Sequence, residues 1–324
     1  MPQTTDRLVG RIERSPADQA VISPGAIIHH HWEVLNRAPG EPVSGVENVA
    51  SGYRIWYSNG GAIYLNPAFT HPAWVYGSIG ERYNALGGAA SWLGFPTADE
   101  APFADEGRVS TFQHGEIYWW PDVGAVELNE VVMQYTGLIC FGETNWDQGS
   151  ASDEPYVVLG TVSHQGPTAA RSQIYEHVNA IQGHADMIEI YRGKPYGIAL
   201  TARMMEHDED DPDRYKAAME AAVGAAATAI TTAVGAIATP AAALIVGPLL
   251  GAVAPVVADA LNGALDLRDD DLGVQTLPLT AKQMVVLAAR TQDSVDYGVT
   301  SRLQTPLFTG EGSSYKACFR FAPA

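Results

Sequence analysis

The chain has 324 residues and a formal net charge of -18 at pH 7, from 19 Lys and Arg against 37 Asp and Glu, yet 46% of it is hydrophobic and only 17% is charged. So apolar a chain is not a disordered acidic tail, and its sign excludes a protein that tracks phosphates, so no nucleic-acid partner is expected. The length suffices for one large domain or two medium ones, each with its own core.

Residues Met1 to Gly10 show no basic segment followed by an apolar one, so no secretory signal is expected there. The first part, about 1–130, is rich in Gly, Pro and aromatic residues and reads as one domain, and all seven tryptophans precede position 147. A repeat runs through this part. Gly61-Ala62-Ile63-Tyr64-Leu65 returns as Gly115-Glu116-Ile117-Tyr118-Trp119, and Trp32-Glu33-Val34-Leu35 returns as Tyr83-Asn84-Ala85-Leu86. Two units follow, about 25–76 and 77–130. Each reads as a short helix, a Gly/Pro turn and a hairpin ending in Ile-Tyr. One unit alone cannot bury an aromatic face, so neighbours are expected to stack.

The second unit carries Tyr83-Asn84-Ala85-Leu86-Gly87-Gly88, then Trp92-Leu93-Gly94-Phe95-Pro96-Thr97, then Gly107-Arg108 and Phe112 to Tyr118. These residues resemble the LGFP repeat, found in arrays on actinobacterial cell-envelope proteins. The resemblance implies attachment to a wall polysaccharide or other glycan, and an extracellular or envelope location. The first unit departs from the motif, with Val43-Ser44-Gly45-Val46 at the corresponding place. The aromatic set Trp56, Tyr64, Trp74, Trp92, Tyr118, Trp119 and Trp120 offers flat rings that could stack on sugars. Packing within the repeat core is the plainer use of the same residues.

From 131 onward the pattern changes: Val131–Phe141 alternates in apolar residues, and further strand-like runs are Tyr156–Val162, Met187–Tyr191, Ile198–Met204, Val274–Leu279 and Tyr315–Phe321. Turn residues separate them at short spacing, as in an antiparallel sandwich. The fold class expected for the whole chain is therefore α+β, mainly β. One segment interrupts the strands. Residues 221–258 contain no charge, and Thr239-Pro240 divides them, since Pro disfavours helix before it. The reading is a helical hairpin, 213–238 and 241–264, forming an insertion over about 212–265. Pro248 and Pro255 are candidate kinks in its second half.

Carboxylates cluster in three loops: Glu143 to Glu154, Glu206 to Asp211, and Asp269 to Asp271. Such density repels itself unless solvated or neutralised by a cation, and Ca²⁺, with its 6–8 oxygen ligands, suits acidic loops. A merely solvated acidic rim is the alternative. The first loop has Asp147, then Gly149-Ser150-Ala151-Ser152-Asp153-Glu154-Pro155-Tyr156-Val157. Glu206-His207-Asp208 follows the strand at 198, and Asp270-Asp271-Leu272-Gly273 precedes the strand at 274. In this order the three motifs resemble those of the C2 domain. The resemblance implies a β-sandwich over 131–324 that binds Ca²⁺ through Asp147 and Asp153 of the first loop and Glu206, Asp208 and Asp270 of the third. Glu143 and Glu154 complete the candidate metal set. The departures are Glu at 206, the extra Glu154 before Pro155, and a third loop in which residues 209–269 intervene.

A hairpin growing from that loop would point at a lipid membrane, and each half is long enough to cross a hydrocarbon core of about 30 Å. With a charge of -18, approach to anionic lipid would depend on calcium. Ala and Gly contribute little insertion energy, so soluble packing on the sandwich, or on a second copy in a homo-oligomer, competes with insertion. His29-His30-His31 lies on a helix, where consecutive side chains diverge and cannot share one metal. Cys140 and Cys318 leave open one bridge or two inert buried thiols. No nucleophile elbow, His-Glu-x-x-His, P-loop or dinucleotide motif is present. The expectation is a non-enzymatic surface-binding protein. The alternatives are a membrane-inserting effector that uses the hairpin, and a wall glycan hydrolase that uses the acidic loops.

Overall fold

The computed structural model describes residues 22–68, 71–144, 152–208, 211–234, 239–263 and 270–324. Helix α1 (Pro24–Val34) opens the first unit. Ser23 caps it, its Oγ accepting from the Ala26 amide at 3.3 Å, and Pro24 occupies the first turn, where a missing N–H costs nothing. An antiparallel sheet follows: β1 (Glu47–Val49), β2 (Gly52–Trp56), β3 (Ala62–Leu65) and β4 (Ala73–Val75), paired in chain order. The order recurs in α2 (Gly77–Ala85) and the sheet β5 (Ala101–Phe103), β6 (Gly107–Thr111), β7 (Glu116–Trp120) and β8 (Gly124–Leu128). The expected hairpins are thus the middles of four-stranded sheets.

The two units interlock. Leu93 and Phe95 of the second are buried among Ala62, Tyr64 and Val75 of the first. Phe95 occupies space that a side chain at Gly52 would take, since a Cβ there would lie 2.9 Å from its ring. In the first unit, Val43 and Val46 stand at the motif's place, 65% and 46% exposed. No preceding sheet stands among the described residues for a phenylalanine to fill, which accounts for the departure from the motif.

The second part is built from β9 (Val131–Gly142), β10 (Pro155–Ser163), β11 (Gly166–Arg171), β12 (Gln182–Gly193) and β13 (Ile198–Glu206). Helices α3 (Pro212–Val234) and α4 (Ala241–Gly263) follow, then β14 (Asp270–Leu279) and α5 (Ala281–Ala289). The small hairpin β15 (Ser294–Asp296) and β16 (Val299–Ser301) leads to β17 (Leu303–Gln304) and β18 (Ser314–Pro323). Two four-stranded antiparallel sheets result, ordered β11-β10-β13-β14 and β12-β9-β18-β17. All six expected strands are present. β11 and β17 are additional.

The hairpin lies where the absence of charge places it, and it takes one of the two dispositions expected of it, packing on the sandwich. It folds back on the sheet β11-β10-β13-β14, with α3 on β10 and β11 and α4 on β13 and β14. A stripe on α3 (Tyr215, Met219, Val223, Ala226) and one on α4 (Val246, Leu250, Val253, Val257) are buried at helical spacing. Every residue of β10 and β13 is buried in consequence, with the second sheet on one side and the hairpin on the other. This explains why their sequences are apolar without alternation. Pro248 and Pro255 both lie within α4, which remains one helix.

Sandwich and repeats share one core. Phe103, Tyr118 and Trp120 belong to the cluster that holds Tyr196 and the sandwich strands, and the Phe103 and Tyr196 rings meet edge-on at 6.2 Å. Lys194 Nζ donates to Glu116 at 2.6 Å and to Asn129 at 2.9 Å across the junction. The hairpin comes close to the sheet at Gly160, where a Cβ would lie 2.6 Å from Met219 Sδ. Gly160→Val should overpack this contact at a cost of about 1–3 kcal/mol. At about 2–4 °C per kcal/mol, the melting temperature should fall by several degrees with the far-UV spectrum unchanged. An unchanged melting temperature would contradict this packing.

Candidate metal centre and aromatic surface

The register of the sheet brings the acidic loops to one end of the sandwich. Pro155, at the end of the first loop, pairs with Glu206, and Glu206 pairs with Asp270, so the end of the first loop and both ends of the third lie side by side in that order. A bulge at Leu272, between the Met204 and Met205 pairs, shifts the first residues of β14 and re-aims their side chains. As a result Asp270 and Asp271 serve different partners.

Glu206, Asp208 and Asp270 each place one carboxylate oxygen within 4.8 Å of the others. All three donors are hard carboxylate oxygens, the ligand type that Ca²⁺ takes, and Glu206 is buried while the other two are more open. Glu206 is 6% exposed and also accepts from the Glu154 amide at 3.2 Å, while the His207 amide donates to the Glu154 carbonyl at 3.1 Å.

The other candidates are placed differently. Asp147 lies outside the described residues. Asp153 is 2% exposed and faces inward. Its carboxylate accepts from the Thr144 amide at 3.0 and 3.2 Å, from Thr144 Oγ1 at 2.8 Å and from the Tyr315 hydroxyl at 2.5 Å. Burial and this carboxylate hold the Tyr315 hydroxyl well above its ordinary pKa. The ligand role implied for Asp153 is thus replaced by a brace between the first loop and β18, and it stands outside the converging group. Glu143 accepts from the Ala180 amide at 2.7 Å and tethers the loop before β12. Glu154 joins through its backbone, as given above.

Sequence reasoning overlooked Arg203. Its guanidinium, on β13 and 3% exposed as a residue, donates to Asp271 at 3.1 and 2.6 Å and to the Leu261 carbonyl, in the last turn of α4, at 2.9 Å. It neutralises Asp271 and ties the hairpin to the strand that carries Glu206. A lone arginine inside the apolar run 198–205 was the available signal.

The aromatic set divides by burial. Tyr64, Tyr118 and Trp120 are 2%, 0% and 0% exposed, and the Trp120 indole donates to the Ala104 carbonyl at 2.9 Å. These three are core residues with no free ring face, a correction to the stacking surface expected of them. Trp56, Trp74 and Trp119 are half-buried, and Trp92 is exposed. His31 faces Asp99 at 3.1 Å and the His29 ring lies tilted against Trp32, so the histidine run forms no joint site. Both cysteines are free and buried, and burial raises the Cys140 thiol pKa and pushes that of Cys318 up to about 12. Inert thiols are the result.

Asp153→Ala strands the Tyr315 hydroxyl and the Thr144 donors in a buried site, at about 1–3 kcal/mol for each unsatisfied group. It should lower stability by several kcal/mol in urea melts, whereas Tyr315→Phe should cost less. Equal, small losses would contradict the brace.

The family description LGFP repeat matches residues 93–135, from the Leu93-Gly94-Phe95-Pro96 strip through β8 into β9. No curated protein matches the chain. Over those residues the chain is similar to a repeat of cell-surface proteins, and the match covers the unit that locks onto both the first repeat and the sandwich.

Proposed function

We propose that the chain is a non-enzymatic, calcium-binding surface protein. Its repeats hold it to a polysaccharide of the cell envelope, and its C2-like sandwich binds Ca²⁺ between the two ends of the helical hairpin. One observation carries the reading. Glu206 and Asp208 converge with Asp270 although the whole hairpin intervenes in the chain. Arg203 offsets the neighbouring Asp271. The two four-stranded antiparallel sheets agree with the C2-like part of the reading, and the match over 93–135 supports the surface location.

A second reading is favoured by α4. Residues 241–261 are long and apolar enough to cross a membrane and are less than half buried, and Leu244 and Val256 are 45% and 54% exposed. On that reading Ca²⁺ lowers the acidic repulsion and lets the hairpin engage anionic lipid. Flotation with phosphatidylserine vesicles, with and without Ca²⁺, separates the two readings.

Calorimetric titration of the full chain with CaCl₂ tests the first reading. The expected result is saturable binding, a stability gain of about 2.7 kcal/mol at a hundredfold excess over Kd, and at least a tenfold loss of affinity in Asp208→Asn and Asp270→Asn. Mg²⁺ should bind more weakly. No heat and no thermal shift at millimolar Ca²⁺ would contradict it.

A further inference from the structure

The repeat itself supplies a comparison that separates packing from other uses of a side chain. Ile63 on β3 faces Trp74 on β4, and its counterpart Ile117 on β7 faces Glu127 on β8. Trp74 therefore corresponds to Glu127, Val75 to Leu128 and Tyr76 to Asn129. The inward position recurs as an apolar residue, Val75 being 2% and Leu128 3% exposed. The outward positions do not recur. In the second unit they are polar, Glu127 pairing with Arg82 and Asn129 with Lys194. In the first unit they hold two aromatic rings, stacked at 3.8 Å with 19° between their planes. The fold does not demand rings there, since its other copy manages without them.

Polar groups surround this stack at the seam between the units. Asp99 Oδ1 accepts from the Trp74 amide at 2.8 Å and lies 3.1 Å from His31 Nε2. Glu100 Oε1 accepts from the Tyr76 hydroxyl at 3.1 Å, with Arg108 Nε 3.7 Å away. Among the described residues no hydrogen bond falls on Asp99 Oδ2 or Glu100 Oε2, and each carboxylate keeps capacity for further donors. A flat apolar ring beside oriented acceptors is complementary to a sugar, which offers a C–H face and rim hydroxyls. Two carboxylates on a chain of charge -18 select a neutral glycan over an anionic one.

We propose that the seam where the stacked Trp74 and Tyr76 rings meet Asp99, Glu100 and His31 is a subsite for one residue of a neutral, hydroxyl-rich polysaccharide. This rests on the reading of the repeats as a glycan anchor and gives that anchor a place. The rings donate apolar area to the C–H face, Asp99 and Glu100 accept from neighbouring hydroxyls, and Arg108 holds Glu100 from the side.

Titration of the full chain with a soluble neutral galactan, followed by tryptophan fluorescence and calorimetry, tests the subsite, with polygalacturonate as the anionic comparison. The expected result is binding of the galactan alone, at least tenfold weaker in Trp74→Ala. Glu100→Gln should weaken binding severalfold while its melting temperature stays that of the wild type, which separates lost recognition from lost folding. Wild-type affinity in both variants would overturn the subsite, and would leave the anchor reading standing if Trp92→Ala abolished binding. Failure of the unaltered chain to bind either polymer would overturn both.

Discussion

Two strands that are apolar on both faces dictate the architecture of the second half. β10 and β13 each bury every residue, so the second sheet alone cannot satisfy them, and something must cover the outer face of β11-β10-β13-β14. The chain supplies that cover from within, as an uncharged hairpin between β13 and β14. Because a hairpin returns to its start, covering the sheet also returns the chain to the end of β13, where Asp270 pairs with Glu206. The acidic cluster is therefore a consequence of how the sheet is buried, and Arg203 fixes the junction through Asp271 and the end of α4.

The same economy operates between the repeats. A unit buries its aromatic strip only against a neighbour's sheet, so Leu93 and Phe95 are core while Val43 and Val46, lacking such a neighbour, are exposed. On its far side the second unit packs against the sandwich through Phe103, Tyr118 and Trp120. The boundary at about 130 is thus a change of pattern in the chain and not a break in the core. Envelope attachment and cation binding, as proposed, would sit on one continuous body.

Much of this was legible because periodicity and charge are local properties. The hairpin limits follow from the uncharged run and Thr239-Pro240, the strands from short apolar runs between turn residues, and the repeat from Ile-Tyr recurring behind Gly. The order of acidic motifs singled out Glu206, Asp208 and Asp270, whose carboxylates converge in the fold. It failed at Asp153, because a motif gives residue type while the direction of a carboxylate depends on Tyr315, far away in the chain. The aromatic set failed for a simpler reason. Strand period alone separates Tyr118 and Trp120, which point into the core, from Trp119 between them, and grouping all three as a surface ignored it. Tyr76, and its stacking with Trp74, emerged only when the strand registers of both units were compared.

The central claim is that the ends of the hairpin close around one calcium ion. Diffraction from crystals grown with CaCl₂, recorded at a wavelength where calcium scatters anomalously, addresses it directly. The account requires a single anomalous peak bonded to oxygens of Glu206, Asp208 and Asp270 at about 2.3–2.6 Å. No peak there at saturating Ca²⁺, or a peak elsewhere with these three carboxylates hydrated, would contradict it.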